Sequence, residues 1–368
     1  AVDEARGRLF PTITASGIYT RNEREVAVNL PTGTAVITPY DQLDGRFSLT
    51  VPIVDVSIWE SFFAAEATAD AAEERATLAR DTVRMTVVTT WYSLVAARVL
   101  VRAAEASLAA AESSRDGAAA RVEVGVAPAA EGARGDAEVA RARQSLAEAR
   151  LLATLAAQSL EVTTGIRPDE TEVALGTDLG APPRLEDLVT DLDHLPAVRA
   201  ARADARAAER SRDAAWAALF PIVTGSASER VTNASGFGPA TQWAISLTAS
   251  WTFDFVRPFT VETREATLAG ARVREEEARA LAEAGIVEAW HRVGSLVERV
   301  SAASAALEAS TRAAEDARAR FEAGVGSQLE AILAERDRFS AEVGLIQAAG
   351  DLAVARAALR IRSGHDPI

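Results

Sequence analysis

Two stretches of the chain place apolar residues at every second position. In the first, Phe47, Leu49, Val51 and Ile53 alternate with Arg46, Ser48, Thr50 and Pro52. In the second, Trp243, Ile245, Leu247, Ala249, Trp251 and Phe253 alternate with Gln242, Ala244, Ser246, Thr248, Ser250 and Thr252. A period of two belongs to strands with one greasy and one wet face. Each stretch is preceded by another alternating segment rich in Thr, Ser and Gly, which follows Leu9-Phe10-Pro11 in one half and Leu219-Phe220-Pro221 in the other. Two strands are therefore predicted in each half, four of about ten residues in all.

The remaining long tracts are built from Ala, Leu, Arg and Glu at helical spacing. They run from about Trp59 to Ala120, from Pro128 to Thr164, from Thr260 to Arg320 and from Ser327 to Ile361. The first would extend about 90 Å at about 1.5 Å per residue. Helices of that length without internal caps belong to coiled coils or helical repeats, not to compact enzymes. Two landmarks recur at one interval, Trp91 to Trp290 and the glycine turns Gly125 to Gly324, each pair 199 residues apart (290 − 91 = 324 − 125 = 199). The chain reads as a duplication within a single unit, 1–368. Repeat one covers 9–165 (two strands, a long helix, a tip turn, a helix), a Pro- and Gly-bearing connector covers 166–194, and repeat two covers 195–364.

Composition narrows the function. Hydrophobic residues make up 48% of the chain, but alanine supplies much of that and aromatic residues only 5%, which disfavours a large globular core. There are 39 basic residues, all arginine, against 53 acidic ones, so the net charge of −14 argues against nucleic acid as a partner. Cysteine is absent, which excludes disulfides and thiolate metal sites. No run of about 18 apolar residues marks a membrane-spanning helix. The three histidines are His194, His291 and His365. Glu288 and His291 have the Glu-x-x-His spacing of di-iron bundles, but the first half offers Val87, Val88 and Tyr92 in the matching neighbourhood, so the second copy such a site needs is missing. Gly324 and Gly326 neither follow a strand nor precede a P-loop lysine. Neither catalytic residues nor a metal or cofactor site is expected, and the chain is not expected to be an enzyme.

Strands of about ten residues with one apolar face match the strands of transmembrane barrels. Four cannot close one, because open sheet edges in lipid leave backbone groups unpaired at several kcal/mol each. Copies of the chain must join, and three copies, giving twelve strands, leave a larger lumen than two. The faces then assign Phe47, Leu49, Val51, Trp243, Ile245, Leu247 and Trp251 to lipid, with Trp243 and Trp251 suited to aromatic girdles at opposite interfaces.

Several motifs resemble the TolC-like outer-membrane factors, the outer membrane efflux protein family. They are the Leu-Phe-Pro entries, the Trp91-Tyr92 helix segment, Ala-Arg-Val-Glu-Val-Gly-Val at 120–126, Ala-Arg-Phe-Glu-Ala-Gly-Val at 319–325, and the segment from Gly324 through Leu329, Glu330, Ile332 and Leu333. The family pattern usually carries aspartates where this last segment has its acid. The resemblance spans nearly the whole chain but lacks the family's leader and first helices, so the chain is expected to begin inside that pattern. It implies a fold that is mainly α with a transmembrane β-barrel portion: a long α-helical coiled-coil barrel in the periplasm plus four β-strands per protomer, twelve in a homotrimer in the outer membrane. Residues 166–194 would form the equatorial connector. The turns at Gly125, Val126, Gly324 and Val325 would dock a periplasmic adaptor (membrane-fusion protein) that couples the channel to an inner-membrane transporter. Glu330, with its counterpart Glu131, would line an acidic ring at the pore's periplasmic end. The implied function is a passive efflux or secretion channel of a tripartite system. The alternative is a soluble coiled-coil scaffold whose strands form a small cap sheet.

Overall fold

The computed structural model describes residues 2–31, 33–169, 175–176, 178–252 and 254–366, so Phe253 and part of the connector lie outside the described residues. The elements follow in the order α1 (Val2–Gly7), β1 (Thr12–Arg21), β2 (Val26–Leu30), β3 (Gly33–Thr38), β4 (Asp41–Val54), α2 (Val56–Glu123), α3 (Ala129–Thr164), α4 (Leu185–Val189), α5 (Pro196–Ala217), β5 (Ile222–Thr232), β6 (Thr241–Ser250), α6 (Val256–Glu322) and α7 (Gln328–Arg362). They divide into two compact units, Ala1–Arg75 with Arg199–Ala278, and Ala76–Val198 with Arg279–Ile368.

The first unit holds an antiparallel sheet in the order β1-β4-β5-β6, together with a separate β2-β3 hairpin. The register sets Ala15, Phe47, Glu229 and Trp243 in one row and Ile13, Leu49, Ala227 and Ile245 in the next row of the same face. Prolines shape the sheet's ends because they cannot donate to a ladder. Pro52 marks an irregularity in the β4-β5 register, and Pro221 precedes the last β5-β6 pair, Ile222 with Ser250. Trp251, expected within the strand, therefore lies one residue beyond it, and its indole N–H donates to the Leu219 carbonyl at 3.0 Å.

Helices start earlier than the apolar pattern indicates because aspartates cap them. Asp55 Oδ1 accepts from the Ser57 and Ile58 amides at 3.0 and 3.2 Å. Asp254 Oδ1 accepts from the Val256 and Arg257 amides, both at 2.9 Å. Such caps are worth about 0.5–2 kcal/mol each. Apart from the short helices α1 and α4, two elements were not anticipated, the β2-β3 hairpin and α5. The latter opens on a proline, a favoured first residue of a helix, and ion pairs tie it to both long helices of its unit. Arg199 reaches Glu74 of α2 at 2.6 Å, and Arg202 reaches Glu275 of α6 at 3.0 Å.

In the second unit the main core joins Leu192, Leu195 and Val198 to Ile286, Val293 and Val300 of α6 and Leu352 and Leu359 of α7. Trp290 packs at its edge, and its indole N–H donates to the Pro183 carbonyl at 2.7 Å. Elsewhere small side chains let backbones approach. Ala104 and Ala118 are fully buried, and a Cβ added at Gly135 of α3 would meet the Arg115 Cα of α2 at 3.0 Å. Ion pairs stitch these helices along their length, Arg143 to Glu112 at 3.0 Å and Arg150 to Glu105 at 2.9 Å.

Candidate functional site

Two features carry chemistry, the faces of the four-stranded sheet and the pair of helix turns. On one face of the sheet lie Ile13, Ala15, Tyr19, Leu43, Phe47, Leu49, Val51, Val223, Ala227, Trp243, Ile245, Leu247 and Ala249. Trp243, Ile245 and Leu247 are 77%, 76% and 69% exposed, far from any core of their own chain. Phe47 and Leu49 are exposed too, and Val51 is half-buried. Glu229, between Phe47 and Trp243, interrupts this apolar band, a feature that a strand-by-strand reading missed. The opposite face is built from Thr12, Thr14, Ser16, Ser48, Thr50, Ser226, Ser228, Ser246 and Thr248, with Asp44, Arg46 and Arg230 toward its loop end. Ser226 and Ser246 bond each other across the strands at 2.8 Å. One face thus suits hydrocarbon and the other water.

Every residue of the outer strands β1 and β6 is exposed, and each has only one neighbour, β4 and β5 respectively. Such edges are unfinished hydrogen-bonding surfaces. At the helix-bearing end of the sheet, Phe10, Trp59, Phe220, Trp251, Phe255 and Phe259 are all exposed. These form a wider aromatic set than the two tryptophans expected.

The turns share one geometry. Gly125 has φ +74° and Gly324 φ +78°. The Gly125 amide donates to the Val122 carbonyl at 3.0 Å and the Val126 amide to Arg121 at 2.9 Å. Gly324 donates to Phe321 at 3.0 Å and Val325 to Arg320 at 3.0 Å. Both are Schellman stops, which need a left-handed residue after the helix. The turns adjoin, since the Arg121 guanidinium lies 4.7 Å above the Phe321 ring and donates to the Phe321 carbonyl at 3.4 Å. Val124, Val126 and Val325 project with 70–79% exposure.

The helices leaving the turns differ at their first acid. Ser327 and Glu330 close a capping box, with the Glu330 amide donating to Ser327 Oγ at 3.2 Å and the Ser327 amide to Glu330 Oε2 at 3.4 Å. The cap residue of α3 is Pro128, which has no N–H to offer, so Glu131 cannot form the reciprocal bond. Glu131 Oε2 is buried without a hydrogen-bond partner, as are both amide atoms of Gln328. Beyond the turns a cavity of about 480 Å³ separates the helix pairs, and across it Arg336 of α7 binds Glu138 of α3, with Nε 3.0 Å from the carboxylate. Arg338 is pushed above its ordinary pKa by its hydrogen bond to Glu335, against the opposing effect of burial. Glu288 pairs with Arg292 and Arg362, and His291 meets the Trp290 ring edge-on at 5.0 Å. No group of three His, Cys, Asp or Glu suited to a metal occurs among the described residues.

Solved structures similar to this fold include the outer membrane protein VceC from Vibrio cholerae, with a TM-score of 0.80 and 18% identity over 100% of this chain and 92% of that one. The Campylobacter jejuni CmeC outer membrane channel gives a TM-score of 0.80 and 16% identity over 99% and 79%. The Neisseria gonorrhoeae MtrE outer membrane channel, in its open state, gives 0.74 and 19% over 99% and 82%. No curated protein matches the chain significantly. The outer membrane efflux protein model matches residues 1–165 and 190–365, so the chain belongs to that family and is an outer-membrane channel protein for efflux.

Proposed function

We propose that three copies of this chain close one twelve-stranded barrel, each β6 pairing with the β1 of its neighbour, and form the outer-membrane conduit of a tripartite pump. The observation that carries this reading is the sheet: two unpaired edges, one apolar face and one hydroxyl face. Within the order β1-β4-β5-β6 neighbours run antiparallel, so β1 and β6 also run in opposite directions and can join as an antiparallel pair. The apolar face, with Phe47, Leu49, Val51, Trp243, Ile245 and Leu247, contacts lipid, and Trp251 joins the aromatic set at the helix-side interface. Glu229 stands toward the loop end, where charge on the lipid face costs least. The chain supplies the two tandem repeats, 9–165 and 195–364, about the connector 166–194. Its turns at Gly125, Val126, Gly324 and Val325 dock a periplasmic adaptor, and an inner-membrane transporter provides the energy. Exposed valines at both turns support a partner at that end. The chain itself catalyses nothing and needs no cofactor. Neither its family nor its fold supports the soluble-scaffold alternative.

Disulfide trapping tests the closure cleanly because the 368-residue sequence contains no cysteine. Ala15→Cys in β1 would be combined in turn with Trp243→Cys, Ile245→Cys or Leu247→Cys in β6. Within one chain these strands are three spacings apart, about 14 Å, too far for a disulfide. Oxidation of detergent-extracted protein should therefore yield covalent dimers and trimers at one or more of the registers. Monomer alone at every register would overturn the proposal.

A further inference from the structure

The hydroxyl face of the sheet carries one unbalanced charge. Its charged residues are Asp44, Arg46 and Arg230, and Asp44 is already committed. Asp44 Oδ1 accepts from Arg230 Nε and Nη2 at 3.0 and 2.5 Å, and Oδ2 accepts from Gln42 Nε2 at 2.6 Å. Arg46 stands directly opposite Arg230 in the register, exposed and without a carboxylate partner among the described residues. Like charges facing each other across strands destabilise a sheet. The nearest acid on β5, Glu229, lies in the next row, opposite Phe47, and so faces the other way. A cation that costs the sheet stability, in a chain of net charge −14, calls for a ligand.

We propose that Arg46, one copy per protomer, forms a cationic ring on the wet wall of the barrel that binds multivalent phosphate-type anions. The guanidinium supplies paired donors matched to phosphate oxygens. Ser16, opposite Arg46 on β1, and Ser48 and Ser228, one step along the same face, add hydroxyl donors. The position is five residues from the loop end of β4, about 17 Å along the strand, so the ring is reached from the loop side of the membrane. Rings of arginine give pores their affinity for anions. The proposal rests on the barrel reading above, because Arg46 of a single open sheet would face bulk water.

The test is single-channel recording of the purified trimer in planar bilayers with inorganic tripolyphosphate added to one side. The natural protein should show current block from the loop side only, relieved when KCl is raised from about 0.1 M to 1 M as the screening length falls from about 10 to 3 Å. Arg46→Gln should lose the block while remaining a conducting trimer, and Arg46→Lys should retain most of it. Absence of loop-side block in the natural protein, or its persistence in Arg46→Gln, overturns the ring. If the natural protein forms neither trimers nor conducting pores, the barrel reading fails and takes the ring with it.

Discussion

Single residues decide how the helix turns behave. Gly125 and Gly324 both hold positive φ, yet a Cβ added at either would find no atom within 4 Å. Substitution there meets no steric wall, and its whole cost is conformational, about 1–2 kcal/mol for a residue forced left-handed. Valine, stiff at χ1, should distort the turn locally, whereas asparagine tolerates the conformation. The double variant Gly125→Val, Gly324→Val is expected to abolish export in a cellular efflux assay while trimers reach the membrane in normal amount. Gly125→Asn with Gly324→Asn should export normally. Normal export by the valine pair would remove the turns from the docking surface. Ser327 and Pro128 are a comparable single-residue contrast, for they decide which of two equivalent glutamates is tied to its own backbone.

At the scale of the strand, alternation makes neighbouring residues opposites. Leu247 is on the apolar face and Ser246 on the hydroxyl face, bonded to Ser226. Leu247→Arg should lower trimer yield through a cost of about 2–4 kcal/mol, the price of a cation near mid-membrane on the lipid side. Ser246→Arg should assemble almost normally, because its side chain enters water. Equal yields in a heat-modifiability gel would refute the assignment of faces. Strand and helix types were legible in the sequence because each element keeps one period over many residues. Boundaries were less so: with Asp55 and Asp254 as caps the helices begin at Val56 and Val256, three and four residues before the predicted starts at Trp59 and Thr260, and Pro221 ends the β5-β6 ladder before Trp251. The helix α5 escaped notice even though its polar and apolar residues segregate to opposite faces, because alanine supplies nearly all of its buried side. The lone charges Arg46 and Glu229 acquire meaning only from cross-strand register, which a single strand does not display.

Across the whole molecule, the threefold axis proposed here would turn each of these residues into a ring. The acids that leave the turns are then the natural candidates for a constriction, and their exposure in the structure separates them. Glu330 is exposed although it closes its capping box, whereas Glu131 is half-buried with one carboxylate oxygen shut away from solvent. A ring of such carboxylates at the periplasmic end should favour cations and bind multivalent ones. We expect the trimer in planar bilayers to be cation-selective at its turn-bearing end and to be blocked from that side by a trivalent cation such as hexamminecobalt. Glu330→Gln should weaken the block more than Glu131→Gln, although both remove three charges per trimer. Glutamine can replace glutamate in a capping box, so Glu330→Gln should leave the fold of α7 intact and report on charge alone. The arginine ring inferred at the loop side predicts the opposite selectivity there, so side-specific addition separates the two effects in one protein. If neither glutamine variant changes selectivity or block, both acids serve only their helix starts, and the constriction lies elsewhere along the helices.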